Sequence, residues 1–240
     1  MIELTVAEDA EEAARTCAER IAEAIDEARA DRGAVHVALA GGRTPGRTYE
    51  LLGERVDDWR DVHLWFGDER CVALDDPDSN HQLVSETLLA PLAARGIAPP
   101  VVHAVEGAAG DPAAAAAGYE RALRDAVPAG GDGVPLLDVA LLGLGEDGHT
   151  ASLFPDDALL DERERLCVPV HGTKPPFARV SLTLPVLRAA RRTIVLTAGA
   201  GKAWAVGAML AGRSHRVPAS LLDGDDGRVE LIADRQAAPA

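Results

Sequence analysis

The sequence predicts an α/β fold built on a single doubly wound, mainly parallel sheet. Two observations predict it. Apolar segments of strand length alternate with segments of helical periodicity along most of the chain, and several apolar segments end in glycine-rich polar loops. With 240 residues, 47% of them hydrophobic, the chain is long enough for one large core. Because no linker, repeat or change in composition divides it, we expect one domain over residues 1–240.

The first elements follow from local patterns. Ile2–Val6 alternates apolar and polar residues, which is typical of an edge strand. Asp9 is a suitable cap for the next segment, in which apolar residues recur at helical spacing to about Ala30. Ala34–Ala40 and Val62–Phe66 are short and mostly apolar, which predicts strands buried on both faces.

The rest of the chain continues this alternation. Asp111 and Pro112 predict the start of a helix, because the N–H group that proline lacks would have no partner in the first turn. Leu136–Leu142 is an apolar run that predicts a central strand. The other predicted elements are helices at 47–54, 79–89, 112–126 and 202–210, a short helix from 185, and strands at 101–105, 167–170, 179–184, 193–197 and 229–232.

Charge and composition disfavour several classes of function. The formal net charge of −15 at pH 7 opposes binding to nucleic acid or to an anionic membrane through a basic surface. Cys17, Cys71 and Cys167 form no CxxC pair, so we expect neither a disulfide framework nor a zinc site. The first residues lack the pattern of a signal peptide, and no run approaches the roughly 18 apolar residues of a membrane span. We therefore expect a cytoplasmic protein.

Four predicted strands end in polar loops, at Ala40–Thr44, Gly67–Arg70, Gly143–His149 and Gly199–Lys202. The carboxyl ends of parallel strands lie along one edge of a sheet, and ligands bind in the crevice outside that edge. We therefore expect these four loops to converge on one cleft.

The first of these loops is suited to an anion. Gly41 and Gly42 free backbone N–H groups, a helix that begins near Pro45 offers its positive end, and Arg43 and Thr44 add donors. The loop lacks the spacing of a Walker A or GxGxxG motif, so a single phosphate fits better than a nucleoside triphosphate or a dinucleotide. The alternative is a tight strand–helix turn without a ligand.

Cations on the other loops are candidates to hold the same anion. Arg70 is one, and Lys202 is another because it lies at the positive end of its helix, where a cation is unfavourable unless an anion is near. Arg179 is a weaker candidate, since a solvated arginine at a strand end is common. Asp68 either orients a substrate hydroxyl or forms an ion pair with Arg70.

His149 is the candidate general base, because an imidazole changes protonation near neutral pH. Asp147, two residues earlier, is expected to orient or polarise it. The chain has no HxxxH or HExxH spacing and no GxSxG motif. We therefore predict no metal site, and an activated water rather than a serine as the nucleophile of a hydrolase.

Six segments in order along the chain carry a family pattern. They are Ala40–Pro45, Trp65–Val72, Ser79–His81, Gly143–Pro155, Arg179–Pro185 and Gly201–Ala203. Together they resemble the 6-phosphogluconolactonases of the pentose phosphate pathway. The pattern GxGxDGHTASLFP is specific, whereas the GG[RST]TP loop is shared with related sugar-phosphate enzymes.

The resemblance implies hydrolysis of 6-phospho-D-glucono-1,5-lactone to 6-phosphogluconate, without a cofactor or a required metal. It also implies the Rossmann-like fold shared with glucosamine-6-phosphate deaminase and ribose-5-phosphate isomerase. By this resemblance, His149 activates water with the assistance of Asp147. The loop at 41–44, Arg70 and Lys202 hold the substrate phosphate, with Arg179 as a further helper.

Two alternatives stay open at this point. One is an amino-sugar-phosphate deaminase or isomerase on the same fold; the residues after Asp68 and the segment Thr150–Pro155 favour the lactonase. The other is a sugar-phosphate sensor without catalysis, which the presence of both Asp147 and His149 disfavours. The sequence does not determine the oligomeric state, and a monomer is the working expectation.

Overall fold

The fold is organised around a parallel sheet. The computed structural model describes residues 2–107, 109–223 and 228–239, except for the side chains of Arg43 and Arg228. Its strands are β1 (Ile2–Ala7), β2 (Val35–Leu39), β3 (Val62–Phe66), β4 (Asp68–Arg70), β5 (Val101–Val102), β6 (Val139–Gly143), β7 (Cys167–His171), β8 (Ala178–Leu182), β9 (Arg192–Thr197) and β10 (Arg228–Asp234). Its α-helices are α1 (Ala10–Arg32), α2 (Arg43–Arg55), α3 (Asn80–Val84), α4 (Ala90–Ala94), α5 (Pro112–Ala126), α6 (Leu184–Ala189) and α7 (Ala203–Leu210). A π-helical turn, Ser85–Leu89, joins α3 to α4.

Within the described residues, seven strands form one sheet in the order β1–β10–β9–β6–β2–β3–β5. All neighbouring strands in it are parallel. The chain runs outward from β2 through β3 to β5, and in the opposite direction from β6 through β9 to β10. The strand order therefore reverses between β2 and β6, which is where ligands bind in sheets of this kind.

Side chains alternate between two cores, one on each face of the sheet. In β2, Val37 and Leu39 pack in the core that α1 and α2 cover, whereas Ala38 joins the opposite core. That opposite core includes Leu123 of α5 and Val206 of α7. Helices thus cover both faces, and the prediction of a doubly wound, mainly parallel α/β sheet is confirmed.

A small antiparallel sheet is the main feature that the sequence did not predict. In the described part of the chain it has the order β4–β8–β7, and it contains the strands predicted near 167–170 and 179–184. Only Gly67 separates β3 from β4, and its carbonyl accepts a hydrogen bond from the amide of Leu182 at 2.9 Å. The second sheet is thereby joined to the carboxyl end of β3.

Helix starts largely follow the predicted caps. Asp9 caps α1 by accepting a hydrogen bond from the amide of Glu12 at 2.9 Å, as predicted. However, α2 begins at Arg43, four residues before the predicted start at Arg47. Pro45 does not prevent this, because the first N–H groups of a helix have no partner inside the helix. Among the described residues, no helix has the length and apolar character needed to cross a membrane.

Three histidines lie together near the amino ends of the central strands, away from the predicted cleft. Nδ1 of His63 is 2.9 Å from Nε2 of His103, and Nε1 of Trp65 donates to Nδ1 of His36 at 3.2 Å. Burial lowers the pKa of His36 to about 4 and also lowers the pKa values of His63 and His103. The folded state therefore favours the neutral form of these three imidazoles.

This cluster predicts loss of stability in mild acid. The histidine pKa values are lower in the folded state than in the unfolded state, so the unfolded chain binds more protons as the pH falls below about 6.5. The stabilisation present above that pH is lost progressively towards about pH 4, where His36 titrates in the fold. Carboxylates of Asp138 and Asp61 oppose these shifts more weakly. Urea denaturation across this range measures the effect.

A double variant, His63→Gln with His103→Gln, is expected to flatten this pH dependence. His215→Gln is the control, because His215 is exposed and lies outside the cluster. A free energy of unfolding in the wild type that stays constant between about pH 7 and about pH 4.5 would contradict the prediction.

Candidate active site

A cavity of about 410 Å³ lies at the carboxyl ends of the central strands. This volume is in the range of small-molecule sites. All four predicted loops contribute to its lining, so they converge as expected. The charged and ionisable residues proposed from the sequence that line it are Asp68, Arg70, His149, Arg179 and Lys202. The glycines at 41 and 42 and Thr44 also line it, whereas the side chain of Arg43 is outside the described part of the structure.

The loop after β2 presents the start of α2 to the cavity. Gly42 caps this helix with a φ of 94°, a backbone conformation that side chains other than glycine adopt with strain. No side chain that the structure describes caps the helix, so its first N–H groups remain available to a ligand. Gly41 is required for a different reason: a Cβ there would overlap the side-chain amide of Asn80. This geometry is suited to an anion at a helix N-terminus.

Gly41→Ala is expected to lower the free energy of unfolding by about 1–3 kcal/mol, because the added methyl group forces Asn80 or the loop to move. It should also weaken the binding of inorganic phosphate. Urea denaturation and titration calorimetry measure the two effects. Gly207→Ala, within α7, is the matched control, since a Cβ there meets nothing within 4 Å and alanine favours a helix. Equal stability of the two variants would contradict the close packing at Gly41.

Asn80 is held in place by a buried carboxylate that the sequence analysis did not single out. Glu69 accepts hydrogen bonds from the amide of Asn80 at 2.8 Å, the amide of His81 at 2.9 Å and the hydroxyl of Ser79 at 3.1 Å. Burial raises its pKa, although the hydrogen bonds from backbone amides oppose the shift. Nδ2 of Asn80 in turn donates to the carbonyl oxygen of Asp68 at 2.7 Å. The Ser79–His81 motif therefore fixes two of the loops of the cavity.

Two arginines face each other across the antiparallel sheet. Arg70 of β4 is paired in register with Arg179 of β8, and both line the cavity. Burial lowers the pKa of Arg179; the charge of Arg70 adds to this effect, whereas Asp68 opposes it. Nε of Arg70 is buried and has no hydrogen-bond partner among the described groups. Like charges directly opposite each other destabilise a strand pair, so this wall of the cavity is suited to an anion.

Lys202 supplies a third cation. It ends a 3₁₀ turn, Ala200–Lys202, immediately before α7, rather than lying in the first α-helical turn as predicted. Nζ donates to the carbonyl oxygen of Leu144 at 2.7 Å. Burial lowers its pKa, and the carboxylates of Glu146 and Asp147 oppose this shift. A bound anion would raise this pKa and offset the repulsion among the three cations.

The side chain of His149 contacts a carboxylate. Nδ1 of His149 lies 2.5 Å from Oδ1 of Asp147, and this hydrogen bond is the main cause of lowering the pKa of Asp147 to about 2. An ionised carboxylate can only accept, so the hydrogen of the neutral imidazole resides on Nδ1. Nε2 is then free to accept a proton from water. Asp147 does not line the cavity; it contacts His149, and its charge opposes the lowering of the pKa of Lys202.

The model of the family described as Glucosamine-6-phosphate isomerases/6-phosphogluconolactonase matches residues 8–231. The chain belongs to this family. A 6-phosphogluconolactonase of Streptomyces coelicolor is 42% identical over 241 residues, covering 96% of this chain and 90% of that protein. The 6-phosphogluconolactonase of Homo sapiens is 39% identical over 180 residues, or 73% of this chain and 66% of that protein.

Solved structures agree with this assignment. A 6-phosphogluconolactonase from Leishmania guyanensis has a TM-score of 0.86 at 31% identity and covers 99% of this chain and 97% of its own. A monomeric glucosamine-6-phosphate deaminase at 22% identity has a TM-score of 0.80, which shows a shared fold alone. The predicted resemblance to the 6-phosphogluconolactonases and the predicted fold are confirmed.

Sequence reasoning gave no role to two residues at this site. Glu146 lines the cavity, and Ser152, which does not line it, is buried beside Asp68. Both lie within the GxGxDGHTASLFP segment, so the signal was present, but a polar residue in a loop does not by itself reveal its distant partner. Among the described residues, no group of three or more His, Cys, Asp or Glu side chains is arranged to hold a metal ion.

Proposed function

We propose that this protein hydrolyses 6-phospho-D-glucono-1,5-lactone to 6-phosphogluconate. The observation that carries the proposal is the pairing of His149 with Asp147 at a cavity that Arg70, Arg179 and Lys202 also line. A base with an unprotonated Nε2 next to an anion site is what hydrolysis of a phosphorylated lactone requires. The curated relatives with this name support the substrate.

In the proposed reaction, the substrate phosphate binds the start of α2 and the three cations. This contact holds the lactone carbonyl near His149. Nε2 of His149 removes a proton from a water molecule as the water oxygen bonds to the carbonyl carbon. The tetrahedral intermediate then collapses, the bond from that carbon to the ring oxygen breaks, and the ring oxygen receives the proton from His149. Asp147 keeps Nδ1 protonated throughout and stabilises the imidazolium that forms.

The decisive experiment measures proton release from freshly prepared lactone, with and without the protein. We expect hydrolysis well above the spontaneous rate, and the same rate in the presence of a chelator. A parallel assay for ammonia from glucosamine 6-phosphate distinguishes the deaminase alternative. Hydrolysis at only the spontaneous rate would overturn the proposal, and ammonia release in its place would support the deaminase.

A further inference from the structure

Ser152 joins two of the loops that form the cavity. It follows His149 by three positions, and its side chain is fully buried. Its hydroxyl donates a hydrogen bond to Oδ2 of Asp68 at 2.6 Å. Asp68 begins β4, so this contact links the loop that carries the proposed base to the antiparallel wall of the cavity.

Arg179 is a second partner of this hydroxyl. Nη1 of Arg179 lies 3.5 Å from Oγ of Ser152, and a guanidinium group can only donate. The serine hydroxyl therefore accepts from Arg179 and donates to Asp68. Two carbonyl groups hold the rest of the guanidinium: Nε donates to Pro176 at 3.0 Å, and Nη2 donates to Lys174 at 3.2 Å. The serine hydroxyl thus lies between two held groups, the carboxylate of Asp68 and the guanidinium of Arg179.

Asp68 keeps an acceptor free for a ligand. Its carboxylate lines the cavity, and it is only 8% exposed. Ser152 holds Oδ2 of this carboxylate. The other oxygen, Oδ1, has only a long contact of 3.4 Å to Nδ2 of Asn80. The closer partner of that Nδ2 is the backbone carbonyl oxygen of Asp68. A carboxylate repels phosphate, so Asp68 is suited to the neutral hydroxyl groups of a sugar rather than to its anionic end.

We propose that Ser152 is a positioning residue that holds Asp68 as the acceptor for ring hydroxyl groups of the substrate. This inference rests on the proposed function. Because Ser152 and His149 lie on the same loop, the contact also fixes the distance between the proposed base and the group that holds the sugar ring. Without Ser152, the guanidinium of Arg179 keeps its hydrogen bonds to the carbonyls of Pro176 and Lys174, so the phosphate contacts are retained and the role of Ser152 is confined to the hydroxyl-bearing part of the ligand.

The test is the binding of two ligands to Ser152→Ala by calorimetry. We expect the Kd for 6-phosphogluconate to rise about tenfold, as for loss of a hydrogen bond to a charged group, while the Kd for inorganic phosphate stays unchanged. Thr193→Val is the control; it removes another buried hydroxyl, one that bonds the carbonyl of Leu187 at the amino end of β9. It should change neither Kd.

A double-mutant cycle with Asp68→Asn separates positioning from general disruption. If Ser152 acts through Asp68, the double variant binds 6-phosphogluconate no more weakly than Asp68→Asn alone. Additive losses, or equal losses of both ligands in Ser152→Ala, would overturn the inference. An unchanged Kd for 6-phosphogluconate in Ser152→Ala would overturn it as well. The lactonase assay of the wild type tests the proposed function separately. If the wild type is active and one of these contradicting results is observed, only the role of Ser152 is overturned.

Discussion

His149→Ala is expected to lower kcat for lactone hydrolysis by about 10²–10⁴-fold, the usual contribution of a positioned general base. Without the imidazole, the attacking water loses Nε2 as the acceptor of its proton. The hydrogen bond from Nδ1 to Asp147 favours the imidazole tautomer in which Nε2 carries no proton. The loss should therefore fall on kcat, and the binding of inorganic phosphate should be retained.

Steady-state rates over the spontaneous background measure this loss, and calorimetry with phosphate confirms that the variant is folded. His215→Ala is the matched control, because that histidine is exposed and does not line the cavity. It should keep the wild-type kcat. Unchanged turnover in His149→Ala would remove this residue from the mechanism and leave the proposed chemistry without a base.

Lys202→Met is expected to raise KM by about 10–100-fold with a much smaller change in kcat, since the phosphate contact is the same in the ground state and the transition state. Methionine keeps most of the length of the side chain and removes its charge. Burial lowers the pKa of Lys202, so the carboxylates of Glu146 and Asp147 compensate its charged form only in part. A phosphate group supplies the remaining compensation.

Initial rates over a range of lactone concentrations separate KM from kcat. Lys174→Met is the control: Lys174 is near enough to contribute to the lowered pKa of Lys202, yet it does not line the cavity. Its effect on KM should be much smaller. A fall in kcat alone for Lys202→Met would show that this lysine acts on the reacting atoms and not on the phosphate.

The sequence by itself determined the alternation of strands and helices and the loops in which the functional side chains lie. Both follow from local information, because burial on two faces imposes an apolar run, and caps and glycines mark where a run ends. The rule that parallel strands share a carboxyl edge then brought the loops of Gly41, Arg70, His149 and Lys202 to one cavity, and the structure has them there.

Only the tertiary structure decided which side chains meet. It set Arg179 opposite Arg70 through an antiparallel sheet that leaves the main sheet after Gly67. It also placed Ser152 on Asp68, a partner 84 positions away. A hydrogen bond or a like-charge pair is directional and short-ranged, so it depends on the angle at which distant segments pack. Hydrophobic periodicity shows which face of a segment is buried, and it carries no information about that angle.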